Sequence, residues 1–551
     1  MTKASLSTGI SFAKRQSLEA VLSEKAGTGF WHFKNVRLSL TLLLCLNFLA
    51  LALMRNGLGM AMVCMVNSTA VREVSIQEPR DNESRWINVT NDAPCPVLES
   101  AKEGYEGEFI WSKGQQGMLF SALYWGSMTC LAAGWLSDRY SPRHLLLFSV
   151  ILNVICSLVT PAAAKYGGYV PMFIVRVLMG TGQGIQKPAV SAFTARWIPT
   201  GERSTVISLY TAGNQLANII GSPLNAWLCS EKQIIGGWPL IFIFSGGIGI
   251  IWCICWISCA RNCPEHHQRI RPCEVDYIKN NLKTQNLRAR KEATQKVPWK
   301  SLLLSMPVIA CCICSFVNGL YVSLTSSYIP TYFMEVLKLD LTRNGFYGSL
   351  PYILQWLLKF TFAVISDKMV QSGKWDVTFL SKMFNSIASF GTGCFVLACG
   401  FIDCTHSGLA VASLTLSMGL FGSFTPGYWT SMVTIAPVYS GIIGSLAATT
   451  NQLGSILAPY MVAVINKTGS KEEWHLIFSI TAASLIATGI FYIIFGSAEI
   501  QPWAMAQSSP DPEKQEPTVI SNSKPWTTTV SMTPVLEACA SKLFEIMSSF
   551  V

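Results

Sequence analysis

Charge is scarce in this chain. Asp, Glu, Lys and Arg make up 13% of its residues, whereas a soluble domain carries about 25%. Half of the chain is hydrophobic, so a water-soluble globule is excluded. Acid is absent from every long apolar run, and none of the six histidines falls clearly inside one. Proton relays through intramembrane carboxylates or imidazoles therefore lack residues to work with. Metal-ligand pairs at helical spacing, a Gly-x-Ser-x-Gly elbow and a P-loop are also missing. These absences argue against an enzyme and against ATP-driven transport by this chain alone. No resident metal or cofactor is expected.

What the chain has instead is length of apolar sequence. About 20 apolar residues span the ~30 Å of a bilayer, and roughly twelve such runs are present: 38–65, 116–136, 145–164, 169–193, 205–229, 238–260, 301–329, 345–366, 379–401, 408–432, 441–465 and 475–496. The expected architecture is an all-α, twelve-helix membrane protein. Its parts are an N-terminal tail (1–36), a six-helix half (37–260), a basic linker (261–300), a second six-helix half (301–496) and a C-terminal tail (497–551).

Orientation follows from loop charge. The linker holds ten Lys or Arg against four acids, and the loops at 138–144, 196–203 and 367–374 are basic and fall on the same side. The positive-inside rule makes that side, and both termini, cytoplasmic. The net charge of +10 is largely this bias, which leaves nucleic acid an unneeded partner. Loop 68–114 falls on the opposite side and contains sequons at Asn82 and Asn88, with Asn67 at its root. Glycosylation there agrees with the charge rule. A sequon at Asn466 lies too near the membrane to be modified.

Most of the eighteen cysteines lie inside the spans and read as small packing residues. Cys95 and Cys404 fall on the oxidising side, where pairing is open. The tail after Ser497 is rich in Ser, Pro, Thr and Glu, a composition of disorder. It ends in Ser549-Phe550-Val551, which suits a scaffold groove of the PDZ type that captures a C-terminal carboxylate.

Two features bear on chemistry. Arg55 and Arg176 lie deep in apolar runs without acidic partners. A charge there costs at least ~2.5–3.5 kcal/mol, so unpaired cations mark a path that attracts an anion. Arg is suited to hold a carboxylate or phosphate with two parallel hydrogen bonds. Lys187 and Lys359 are further buried cations. Gln183 lies two turns from Arg176 and is expected on the same face. The three glycines of Gly180-Thr181-Gly182-Gln183-Gly184 allow a helix or a substrate to approach closely. Tyr124, Trp125, Tyr321, Tyr328 and Tyr332 are candidates to line a cavity.

The second feature is a repeat. Gly134-Trp135-Leu136-Ser137-Asp138-Arg139 closes the second span, and Ala363-Val364-Ile365-Ser366-Asp367-Lys368 closes the eighth. Each occupies the same place in its half and reads as a cytoplasmic latch, released when an inner gate opens. Repeated halves related by an axis along the membrane normal are a transporter architecture.

The first copy, continued by Tyr140-Ser141-Pro142-Arg143, resembles the loop 2–3 motif of the major facilitator superfamily. Further stretches resemble its solute carrier 17 family of organic-anion and phosphate transporters: Arg55 to Asn67, Arg176 to Pro188, Arg196-Trp197-Ile198-Pro199-Thr200-Gly201-Glu202-Arg203-Ser204, Val297-Pro298-Trp299-Lys300, Asn344-Gly345-Phe346, Ile435-Ala436-Pro437 and Phe495 to Trp503. The resemblance implies that Arg55 coordinates the anion. The glutamate and sialic acid carriers of that family have Glu where this chain has Gln183. The glutamate carriers also have His at Phe120 and Arg at Asn318. Gln cannot carry a proton, so the departures point towards the phosphate and urate branch, with a sodium co-ion or the membrane potential as the drive.

The leading reading is alternating-access transport of a small anion, bound by Arg55, Arg176, Gln183, Lys187, Tyr124, Asn318 and Tyr321. A non-transporting membrane sensor or scaffold, an anion channel and a proton-coupled vesicular carrier are the competing readings. The sequence leaves plasma membrane and vesicle membrane both open.

Overall fold

The computed structural model describes residues 35–71, 107–279 and 298–505, apart from 68–69, most of 131–139, 232–236 and 437–438. Asn82, Asn88, Cys95, Gly134, Asp138, Arg139 and Ser549-Phe550-Val551 lie outside the described residues.

Each apolar run forms a helix. In chain order they are α1 (Val36–Met65), α2 (Lys113–Ser127), α3 (Pro142–Ala162), α4 (Tyr169–Trp197), α5 (Thr200–Ser230), α6 (Pro239–Cys259), α7 (Met306–Glu335), α8 (Leu341–Gln371), α9 (Val377–Phe401), α10 (Cys404–Thr434), α11 (Ser440–Ile465) and α12 (Lys471–Phe495). Eight are long and apolar enough to cross a membrane on those grounds alone. The other four, α2, α4, α5 and α11, are richer in Gly, Ser, Asn and Gln and pack heavily on other helices.

Starts are written locally. Ser112 with Gln115 caps α2 and Ser470 with Glu473 caps α12, each in a reciprocal capping box. Asp340 and Asp376 cap α8 and α9. Such side chains satisfy backbone N–H groups that the first turn leaves open. Breaks are repaired from neighbouring helices. Gly427 leaves helical geometry inside α10, and the Ser381 hydroxyl donates to its carbonyl at 3.0 Å. Backbone freed inside a membrane must find such partners.

The two-fold repeat shows in the packing. α1 packs on α5 as α7 packs on α11, α2 on α4 as α8 on α10, and α3 on α6 as α9 on α12. Each pairing maps onto its mate by a shift of six helices. The halves meet through α2 on α11 and α8 on α5, which are also mates, and through α1 on α7. Glycine permits the closest crossings. A Cβ on Gly319 would lie 1.9 Å from the Asn451 carbonyl oxygen, and one on Gly454 would lie 1.9 Å from that of Phe316.

The contacts between halves gather towards the end of the bundle that bears residues 107–111, termed here the loop face. Gly59 abuts the Ser327 carbonyl, Gly117 abuts that of Pro459, and Gly345 abuts Ala226 and Ser222. Lys113 of α2 forms an ion pair there with Glu335 of α7. Asn466 Nδ2 and Trp474 Nε1 also donate to Glu335, each at 2.9 Å. Asn466 is thus buried, in keeping with a sequon that is not modified. Asn67 is half-buried, and its side chain accepts from the Ala70 amide.

At the opposite end, the linker face, α4 and α5 make no extensive contact with α10 or α11 among the described residues. Asp367 and Lys368 are exposed and form no ion pair among the described residues. Among the described residues the two halves meet mainly at the loop face.

Two expectations need correction. Cys64 and Cys229, read as packing residues, form a disulfide joining α1 to α5. Both lie in the last turns of their helices at the loop face, so neither is mid-span. Cys404 is also disulfide-bonded. The basic linker, for its part, is more than a tether. A helix over 272–279 docks on the first half through fully buried Arg37, which pairs with Glu274 (3.1 Å) and with Glu202. Glu274 also accepts from the Val36 and Arg37 amides at 3.2 Å, placing a carboxylate at the positive end of α1. The Tyr277 ring lies 4.8 Å from the Arg37 guanidinium. Burial, and then the neighbouring Glu202 carboxylate, push the Tyr277 phenol up.

Candidate functional site

The site is built on α1, α2, α4, α7 and α8. Arg55 stands two-thirds of the way along α1 and is half-buried. Its Nε donates to Asn56 Oδ1 at 3.0 Å. Lys187 of α4 is exposed to the open middle of the bundle, close enough to Arg55 for the two cations to repel. Neither forms an ion pair among the described residues. Tyr352 of α8 lies beside both Arg55 and Tyr124 of α2. Tyr328 of α7 neighbours Tyr124 and packs 4.8 Å from the Phe120 ring. Asn318 of α7 is half-buried and accepts from Asn451 Nδ2 of α11 at 3.2 Å. Lys359 of α8 is half-buried.

Other candidates are placed elsewhere. Arg176 is fully buried within the first half. Its guanidinium lies 5.3 Å from the Phe242 ring of α6, and its Nη1 is 3.7 Å from Met179 Sδ. Its Nε and Nη2 have no hydrogen-bond partner among the described residues. Eleven positions separate it from Lys187, about 16 Å along a helix at 1.5 Å per residue. Gln183 donates to Asn153 of α3 at 3.2 Å, so it too turns away from Arg55. Tyr321 bonds Ser417 and stacks on Phe421 of α10, and Tyr332 packs with Trp474 and Phe478. Both belong to the core of the second half. Trp125 is exposed on the outside of the bundle.

The reason lies in α4, which is embraced on two sides. Gly180 and Gly184 admit the backbone of α2, and Gly182 admits Ser149 and Asn153 of α3. The glycine pattern therefore serves helix approach. It also fixes the rotation of α4, turning Gln183 into the first half while Lys187, past it, reaches the opening.

A small cleft of about 40 Å³ adjoins Arg55 between α1, α5, α7 and α8. Its wall includes Asn56, Asn218, Ser222, Asn225, Thr325, Ser326 and Tyr352. Sequence reasoning missed Tyr352 and the α5 residues. A signal was present: Asn218, Ser222 and Asn225 recur at helical spacing within the fifth span.

Two cations of the first half, unpaired among the described residues, beside a polar cleft walled by helices from both halves, are the arrangement of a solute path. Residues 44–459 match the family model described as the Major Facilitator Superfamily. The chain belongs to that superfamily. Within it, the chain belongs to the solute carrier 17 family. It is 30% identical over 501 residues to "Uncharacterized transporter slc-17.3" of Caenorhabditis elegans, covering 87% of this chain and 91% of the relative. It is 31% identical to a "Putative inorganic phosphate cotransporter" of Drosophila ananassae, covering 85% and 94%. To human sialin it is 30% identical, covering 86% and 91%. The D-xylose-proton symporter crystal structure superposes with a TM-score of 0.60 at 14% identity, covering 84% of this chain and 99% of that one, which supports the fold. This facilitator-superfamily protein is accordingly a multi-pass integral membrane transporter. The α1–α5 and α7–α11 pairs are its repeated core, and the Arg55–Lys187 opening lies where its two halves meet.

Proposed function

We propose that this transporter carries a small anion by alternating access, with Arg55 and Lys187 holding the anion's charge. The observation that carries the proposal is the pair itself. Two cations repel each other with no acid paired to them among the described residues, and an anion between them relieves that cost. The names of relatives, which include inorganic phosphate cotransporters and sialin, are consistent with it. Tyr124, Tyr352 and Asn318 supply neutral hydrogen-bonding walls. Arg176 and Gln183 support the site from inside the first half by fixing α4.

The linker face is cytoplasmic in this reading, as loop charge requires, so the described state is inward-open, with both termini in the cytoplasm of a plasma or vesicle membrane. Opening the other side breaks the Lys113–Glu335 pair and re-forms the latches that Asp138 and Asp367 anchor. Gln183, bonded to Asn153, has no proton to exchange, so the drive is a sodium co-ion or the membrane potential, the latter worth ~2.3 kcal/mol per charge per 100 mV. No cofactor enters the cycle.

Uptake of radiolabelled phosphate, glutamate and urate into proteoliposomes, under imposed sodium, proton or potential gradients, tests the proposal. Accumulation of an anion above equilibrium under a sodium gradient or a potential is expected. Binding without flux would replace it with the sensor reading, and flux that neither saturates nor shows counterflow would make the protein a channel.

A further inference from the structure

The loop face holds a second charged cluster, apart from the Arg55–Lys187 opening. α1, α7 and α11 all end there, at Met65, Glu335 and Ile465, and none has a basic residue in its last turn. A helix C-terminus carries partial negative charge that favours a cation, and the Glu335 carboxylate adds a full charge. The cation present is the Lys113 ammonium, which donates to Glu335 Oε1. The two sides of this pair belong to different halves. Lys113 starts α2 in the first half, whereas Glu335, Asn466 and Trp474 all belong to the second.

The second-half side has the makings of a cation site of its own. Asn466 Nδ2 and Trp474 Nε1 both donate to Glu335 Oε2, and donors on a carboxylate favour its charged form. Asn466 is 1% exposed, and its Oδ1 has no hydrogen-bond partner among the described residues. A buried acceptor left unpaired is costly, and a cation beside the carboxylate satisfies it. Thr331 lies one turn before Glu335 on the same face of α7 and lines a recess together with Glu335 and Lys113. The recess is about 20 Å³, enough for one water-sized body, which needs about 10–15 Å³. That is room for an ion and not for an organic molecule. Among the described residues no group of three His, Cys, Asp or Glu is placed to hold a metal, so a transition metal lacks ligands. One carboxylate with neutral oxygens at helix C-termini matches a monovalent cation, and sodium in transporters is held by such oxygens.

Resting on the alternating-access reading above, we infer that Glu335, Asn466 and Thr331 form a sodium site for which Lys113 is the built-in competitor. When the halves part at the loop face, Lys113 leaves with the first half, and the three oxygen-bearing side chains stay together in the second. Sodium arriving from the loop side then pairs with the carboxylate and stabilises the parted state, while the Lys113 ammonium stabilises the joined one.

Equilibrium binding of radiolabelled sodium to the detergent-solubilised full chain, with choline as the replacing cation and no transported anion added, tests this. Lys113→Ala is expected to bind sodium at least about tenfold more tightly than wild type, the scale of one charged hydrogen-bonding partner removed. Sodium, but not choline, should also raise the melting temperature of Lys113→Ala, because it pairs with the carboxylate that this variant strands. Adding Glu335→Gln to Lys113→Ala should abolish both effects. Thr331→Val keeps the ion pair, so it does not depend on how Lys113→Ala folds, and it should weaken sodium binding relative to wild type several-fold. No sodium bound by wild type or by Lys113→Ala, binding that survives Glu335→Gln, or binding unmoved by Thr331→Val overturns the inference. A carboxylate that takes a proton instead gives the first of these results. None of these readouts uses the transported anion, so the inference can fail while Arg55→Gln still abolishes uptake, and it can hold while the anion reading fails.

Discussion

The cations of this protein are compensated in different ways. Arg37 is held by Glu202 and Glu274 and by the Tyr277 ring. Arg55 and Lys187 have no such carboxylate among the described residues. Removing one partner of a buried pair leaves the other charge uncompensated, at a cost of about 3–5 kcal/mol. Arg37→Met should therefore strand Glu274 beneath the first half, lower the melting temperature of the detergent-solubilised protein and expose residues 261–300 to protease. A melting curve and a cleavage pattern identical to wild type would show that the linker helix does not depend on this pair. Arg55→Gln removes a charge that has no carboxylate to strand, so its effect should fall on transport and leave folding largely intact.

At the scale of the helix, the loop-face contact is the part most open to test. Lys113 and Glu335 bridge α2 and α7 beside a small recess that Thr331 and Gln116 help to line. Lys113→Ala removes the cation from that bridge and biases the protein towards opening on that side. With a cysteine placed as Thr331→Cys, labelling by a membrane-impermeant thiol reagent from the loop face should rise several-fold when Lys113→Ala is added. Unchanged labelling would mean that backbone packing at Gly59, Gly117 and Gly345 alone holds the face shut. Much of this scale was legible in the sequence. Apolar length is a local property, so the helices fell where the runs predicted, and the spacing of the repeat anticipated the six-helix symmetry. Helix rotation was not legible. Arg176 and Gln183 were expected to share a face of α4, and both turn into the first half, but which neighbours that face meets is set by the packing of α2 and α3 against the α4 glycines. The Cys64–Cys229 bond was missed for a related reason: spans suggest burial in apolar packing, and only the assembled bundle shows two helix ends meeting at one face.

For the molecule as a whole, symmetry and charge act together. Two halves built on the same pairings can rock about a site between them, with α2 on α11, α8 on α5 and α1 on α7 as the surfaces that slide. The site itself breaks the symmetry, since Arg55 and Lys187 both come from the first half. The second half contributes the neutral Tyr352, Tyr328 and Asn318. The anion is therefore expected to be held by the first half and enclosed by the second. Gradient-driven uptake by Arg55→Gln and Lys187→Gln proteoliposomes, compared with wild type at equal reconstitution, tests this most directly. The account predicts a loss of at least about 100-fold in uptake for Arg55→Gln and a smaller loss for Lys187→Gln, the scale of a missing charged hydrogen-bonding partner. Wild-type uptake by both variants would contradict it.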